Sequence, residues 1–345
     1  MYSGKIMAKK NEKNITFYLL IGLLLSIVLI IYGYIFGALN KNTVQNTQFN
    51  SLTNVQLFVE PESSREPLLQ TIEKAKASID LEVYIMSDDS IVSELINAKR
   101  RGVYVRVILE ENPYQGYGAN KDVKDKLSHY GIDTKWSNRV YQYTHSKFLV
   151  IDKTTGYIMT LNLSKSAFTK NREFGVIVND PDTVNELLNI FSADWNRKPY
   201  VAVNSPLVVS PENSRTKIID LLNSAQSEID VYAEEIEDQQ FMNTLEKIAV
   251  SGVKVYVIVA DPSSIDVNKA AIDELKKSMV EIKSVTSPFI HAKAIIVDGS
   301  LAYVGSINFS STSFDKNREV GVIISSKNAV TQLRDTFFQD FNKGR

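Results

Sequence analysis

The sequence predicts an α/β protein made of two tandem repeats of alternating helix and strand, preceded by one apolar helix. Three observations predict it. After residue 53, short apolar runs alternate with stretches of helical spacing. The order of these elements recurs in the second half at an offset of 146 to 150 residues. Ahead of both halves, the segment between Lys13 and Lys41 carries no charge.

That first segment is expected to form a transmembrane helix over residues 15–39, whose core from Phe17 to Leu39 is long enough to cross about 30 Å of hydrocarbon. A cleaved signal peptide is the rival, but its apolar region is typically about 7–15 residues long. Its exit site is also poorly matched by Phe36-Gly37-Ala38. Lys5, Lys9, Lys10 and Lys13 precede the segment against Glu12 alone, and only Lys41 follows before Glu60. The positive-inside tendency therefore makes residues 1–14 cytoplasmic and places the remainder outside. A polar linker over residues 40–53 follows.

The first repeat, residues 54–200, opens with a helix over Ser64–Ala77, spaced by Leu68, Leu69, Ile72 and Ala75. It feeds a strand over Ile79–Ile85; a helix over Ile91–Arg101, a stop at Gly102 and a strand over Val103–Leu109 come next. The second repeat, residues 201–345, presents the same series: helix Thr216–Ala225, strand Ile229–Tyr232, helix Gln240–Ala249, Gly252, strand Val253–Val259. Lys147–Ile151 and Lys293–Val297 are continuous apolar runs, read as buried strands, with Tyr157–Met159 and Leu301–Val304 returning beside them. Asp194-Trp195-Asn196 recurs as Asp340-Phe341-Asn342.

Composition narrows the chemistry. There is no cysteine, which removes thiolate nucleophiles and thiolate metal sites. Without residues 1–40 the chain holds 35 basic and 39 acidic residues, a net of −4, which is not the footprint of a general nucleic-acid binder.

The most specific pattern is a duplicated set: His145, Lys147, Asp152, Asn162, Glu173 and, each 146 residues later, His291, Lys293, Asp298, Asn308, Glu319. Only three histidines exist, and two occupy this repeat. His129, the third, has no counterpart and is expected at a helix end or on the surface. Alternation along a strand puts each His and Lys on one face. Displacing an alkoxide from a phosphodiester needs a nucleophile, a proton donor and groups that hold the phosphate oxygens, and this set supplies them all.

These residues resemble the phospholipase D superfamily, whose signature is HxKx4D followed by a GSxN-like segment. His291-Ala-Lys293 through Asp298 with Gly305-Ser306-Ile-Asn308 matches in full; His145-Ser-Lys147 through Asp152 with Asn162 matches apart from Met159-Thr160 in place of Gly-Ser. The resemblance covers residues 54–345 and extends to Asn171-Arg-Glu173, Asn317-Arg-Glu319 and the Tyr84–Asp89 stretch, which is similar to cardiolipin synthases. It implies two α/β/α repeats with mixed sheets about a pseudo-two-fold, and a phosphohistidine intermediate formed without metal or other cofactor. On this reading His145 is the nucleophile and His291 the acid and base. Lys147, Lys293, Asn162 and Asn308 bind phosphate, with the Thr160 and Ser306 hydroxyls beside them, and Glu173 and Glu319 orient the imidazoles. Asp152 and Asp298 support turns.

The loss of glycine at Met159 is expected to narrow the groove on that side. The acidic run Glu234, Glu235, Glu237 and Asp238 is read as a solvated rim, with contact to a polar head group as the alternative; the Asn112–Asn120 loop lies at the entrance or on the surface. The expected partners are a phospholipid, the bilayer, and water or a small alcohol as acceptor. A membrane-anchored nuclease and a non-catalytic polyanion-binding protein are the alternatives.

Overall fold

In the computed structural model, residues 24–28, 30–31, 49–114, 116 and 118–345 are described. Most of the span expected over residues 15–39 lies outside them; residues 24–28 and 30–31 are helical and exposed. Among the described residues no helix is long and apolar enough to cross a membrane.

Residues Phe49–Arg345 form one compact unit. Its strands are β1 (Val55–Glu60), β2 (Ser78–Val83), β3 (Tyr104–Leu109), β4 (Asp133–Trp136), β5 (Lys147–Ile151), β6 (Thr155–Met159), β7 (Asn171–Val178), β8 (Leu207–Ser210), β9 (Glu228–Ala233), β10 (Lys254–Ala260), β11 (Val280–Val285), β12 (Phe289–Ile290), β13 (Ala294–Val297), β14 (Leu301–Gly305) and β15 (Glu319–Ile324). The first sheet runs β1-β7-β6-β5-β2-β3-β4 and the second runs β8-β15-β14-β13-β9-β10-β11, the same order strand for strand. Both are mixed: β2, β3 and β4 are parallel, as are β9, β10 and β11, while the hairpin strands join antiparallel.

Local signals act as the sequence reading expects. Gly102 and Gly252 end their helices at φ 94° and 99°, where a Cβ would be strained. Asp88 and Asp238 cap the following helices, accepting from Ile91 N–H and Phe241 N–H, and Asp238 also pairs with Arg215 at 2.9 Å, so one member of the acidic run has a structural task.

Two outer cores lie between each sheet and its own helices. A third, shared core joins the inner faces of both sheets, with Phe148, Ile158 and Phe174 from one and Tyr232, Ile296 and Val320 from the other, and includes the helices Pro181–Trp195 and Lys327–Phe341. The end of the expected linker belongs to this body. Leu52 is buried, donates its N–H to Ile323 and accepts from Ser325 N–H, which docks the segment entering the first repeat onto β15 of the second.

One strand breaks the symmetry of the count. β12, just before His291, leaves its own sheet and pairs with β7 of the first repeat, Ile290 opposite Arg172. Its counterpart before His145 makes the reciprocal contact, a bridge between Thr144 and Arg318.

Candidate active site

Those two crossed pairings build the site. His145 N–H donates to Arg318 C=O at 2.8 Å, and His291 N–H donates to Arg172 C=O at 3.3 Å, so each histidine is strapped to the other repeat. The next residue along each partner segment is the glutamate. His145 Nδ1 therefore meets both carboxylate oxygens of Glu319, at 2.9 and 3.0 Å, and His291 Nδ1 meets Glu173 at 2.7 Å. A carboxylate only accepts, so Nδ1 of each ring carries the proton and Nε2 is the nitrogen that this glutamate leaves free. The pentads thus exchange their glutamates.

Both histidines open onto a single cavity of about 600 Å³, also lined by Asn162, Asn308, Tyr84, Tyr114, Tyr143 and the carboxylates Glu234, Glu235, Glu237 and Asp266. Tyr114 brings the Asn112–Asn120 loop to this entrance, its N–H donating to the Tyr84 hydroxyl at 2.6 Å. Among the described residues the buried side-chain oxygens of Asn162 and Asn308 find no hydrogen-bond partner, which leaves these oxygens uncommitted at the cavity wall. Lys147 and Lys293 are fully buried behind the histidines; their ammonium groups donate to the carbonyls of His145 at 2.5 Å and His291 at 2.6 Å.

Electrostatics follow from this burial. Burial, aided by Lys147 and Lys293 and opposed by Glu319, pulls the His145 imidazole down to about 4, so it is neutral at physiological pH. Lys147 is brought down to about 7, again chiefly by burial, with Glu319 opposing and Lys293 adding to it. Glu319 stays ionised: burial works against its charge, but His145 and Lys147 outweigh it.

Other predicted residues sit elsewhere. Asp152 accepts from the N–H groups of Lys76, Ala77 and Ser78, and Asp298 from those of Gln226, Ser227 and Glu228. Both take φ 51° in a turn at the far end of the strand from the histidine, and both act there as turn anchors. Thr160 and Ser306, expected at the phosphate, are fully buried and do not line the cavity. Thr160 donates to Glu173 at 2.6 Å, and each hydroxyl accepts a backbone N–H, from Phe174 and Val320. They brace the glutamates instead.

The Met159 expectation is likewise corrected. A Cβ at Gly305 would collide with the Gly321 Cα and the Tyr303 hydroxyl, and in the first repeat Phe58 occupies the space beside Gly175, opposite Met159. The glycine thus makes room for a core aromatic, while Met159 is fully buried in the core of the first repeat and does not line the cavity. His129 lies exposed at the last position of the helix Lys121–His129.

The residue sequence reasoning undervalued is Glu234. Its carboxylate lies 2.6 Å from Lys293 Nζ and 3.5 Å from His291 Nε2. Burial pushes Glu234 up, but His291 and Lys293 prevail and hold it at about 2. The available signal was the repeat itself, which puts Glu234 opposite Tyr84 at the residue after the strand.

Two crossed His–Glu pairs, each with a lysine, at one cavity between duplicated mixed sheets define a protein with two matching histidine motifs in a single site. The chain matches the family model "Cardiolipin synthase, PLD-like domain" twice, over residues 68–195 and 218–341, and it belongs to the phospholipase D superfamily. It is 24% identical over 343 residues to a cardiolipin synthase of Halalkalibacterium halodurans, covering 86% of this chain and 67% of that protein. To a cardiolipin synthase of Listeria monocytogenes it is 27% identical, covering 84% and 69%. The fold superposes on phosphatidylserine synthase of Haemophilus influenzae with TM-score 0.68 at 12% identity, over 88% of this chain and 90% of that one.

Proposed function

We propose that the protein is a phosphatidyltransferase or phosphodiesterase of the phospholipase D type, acting on phospholipids through a phosphohistidine. The observation that carries this reading is the pair of Glu-oriented histidines with buried lysines on one cavity. His145 Nε2 attacks phosphorus while His291 delivers a proton to the departing alkoxide. His291 then takes a proton from water or an acceptor alcohol, whose oxygen displaces the histidine. Lys147, Lys293, Asn162 and Asn308 hold the nonbridging oxygens. No step needs a metal.

A phospholipid is favoured over a nucleic acid by the cavity wall, whose lining among the described residues has four carboxylates and no Lys or Arg, leaving Lys147 and Lys293 behind the histidines for the single reacting phosphate. A polynucleotide is held mainly through Lys and Arg at its phosphates. The cardiolipin synthases among the relatives point the same way. The uncharged segment at 15–39, flanked by lysines on its amino-terminal side, fits a single-pass anchor with the catalytic unit outside the cytoplasm.

The test presents the full chain, in EDTA, with phospholipid vesicles plus an alcohol and, separately, with single-stranded oligonucleotides. Phosphatidyl-alcohol formation abolished by His145→Asn is expected. Oligonucleotide cleavage without lipid turnover contradicts the lipid reading, and loss of all activity in EDTA contradicts the metal-free mechanism.

A further inference from the structure

The two half-sites share a scaffold but differ at the residue that follows β2 and β9. In the second repeat, buried Asn268 fixes the loop after β9, donating to the carbonyls of Glu234 and Ala260 at 2.8 and 2.9 Å and accepting from Ile236 N–H at 3.1 Å. In the first, buried Asn120 does the same after β2, donating to Tyr84 and Glu110 carbonyls at 2.7 and 2.8 Å and accepting from Met86 N–H at 3.0 Å. Identical backbones thus present different side chains to their histidines. Tyr84 meets His145 edge-on, with ring centres 4.5 Å apart, and its face covers Lys147 Nζ at 5.1 Å. Glu234 meets His291 Nε2 and Lys293 with a carboxylate.

We propose that Glu234, paired against Tyr84, is the positioning residue that makes the histidines unequal, setting a carboxylate beside Nε2 of His291, the acid, where His145, the nucleophile, meets only an aromatic edge. This rests on the phosphodiester reading above and adds what assigns the roles. His291 lies between two carboxylates, Glu173 on Nδ1 and Glu234 toward Nε2, opposed by Lys293, whose Nζ is 3.3 Å from Nδ1. His145 has one carboxylate, Glu319, and an aromatic edge. The other charges on the cavity, Glu235, Glu237 and Asp266, are acidic and act in the same sense on both rings, while Lys147 lies behind His145.

At 3.5 Å the Glu234 contact is too long for a tight hydrogen bond, so it orients the ring while leaving Nε2 free for substrate. In the first half-reaction the His145 Nε2 lone pair forms the N–P bond, the P–O bond to the head group breaks, and the His291 Nε2 proton goes to the leaving oxygen. In the second, His291 accepts the proton of the incoming O–H as its oxygen forms the new P–O bond and the N–P bond breaks.

The test compares wild type, Glu234→Gln and Glu234→Asp on two probes: phosphatidylglycerol in mixed micelles, and a phosphatidyl ester of p-nitrophenol, whose anion departs without a proton. In Glu234→Gln the first-turnover rate on phosphatidylglycerol should fall about 10- to 100-fold, part of what a general acid contributes. The alkaline limb of its pH profile should move about one unit lower, because a carboxylate that favoured the imidazolium is gone. The burst of p-nitrophenolate should stay within about twofold of wild type, since that step needs no acid. Glu234→Asp should restore the limb. Equal losses on both probes without a shift of the limb, or an unchanged Glu234→Gln enzyme, overturn the role of Glu234. Absence of turnover and burst in wild type would instead fail the phosphodiester reading.

Discussion

His145 shows how far a residue's chemistry departs from its type. With burial drawing it down to about 4, the neutral, attacking form persists well below the ordinary histidine range, so kcat/KM should lose activity on acidification near pH 4 rather than near 6.5. A pH–rate profile on a substrate with a good leaving group reads this directly. Lys147, drawn down to about 7, loses its charge as pH rises past that value, so KM should increase above pH 7, and Lys147→Arg should remove that dependence. The identities of the histidines, lysines and asparagines were legible in the sequence because they recur together at one offset. The pairing of each glutamate was not, because sequence proximity joins Glu173 to His145, whereas β12 crosses to β7 and joins it to His291. Glu234 was hidden for a related reason: four acids in five positions look like a solvated rim, and only the fold separates the cap Asp238 from the carboxylate at the histidine.

At the scale of elements, the aspartates of the signature are anchors for the turn that returns each histidine strand. Asp298→Ala removes the acceptor of three backbone N–H groups, and should cost about 1–3 kcal/mol of unfolding free energy with kcat nearly unchanged. Chemical denaturation alongside kinetics separates those two effects. Gly305→Ala, which forces a Cβ against Tyr303 and Gly321, should likewise destabilise by about 1–3 kcal/mol. Helices and strands were legible from their apolar periods, with ends displaced by a few residues where caps such as Asp88 set the boundary. The docking of Leu52 was not legible, since a polar stretch carries no sign of which sheet edge will accept its backbone.

Across the whole molecule the exchange recurs. Arg172 of the first repeat pairs with Asp340 in the last helix at 2.6 Å, and Arg318 of the second pairs with Asp194 in the helix ending the first at 2.9 Å. Asp340→Ala leaves the buried Arg172 guanidinium with Glu62 as its remaining carboxylate and the Tyr232 hydroxyl without its acceptor, and should lower stability by about 1–3 kcal/mol. Glu60, buried opposite Glu173 in the ladder, is pushed up to about 8, mainly by burial, with Glu173 and Glu62 adding to it against a backbone N–H of Ser64 and the Arg172 charge. The folded state therefore holds that proton more tightly than the unfolded one. Its stabilising effect is complete below pH 4.5 and lost as pH rises through 8, so Glu60→Gln should flatten the fall of the urea midpoint across that window.

The crossed glutamates make the two motifs halves of one catalytic centre. Rapid quenching of a phosphorus-labelled phosphatidyl ester of p-nitrophenol, whose anion departs without an acid, with the His291→Asn enzyme, which lacks the base that resolves the intermediate, tests this most directly. The account predicts one labelled phosphate per chain, on His145, and none in His145→Asn. Two labels per chain, or a label that persists in His145→Asn, would contradict it.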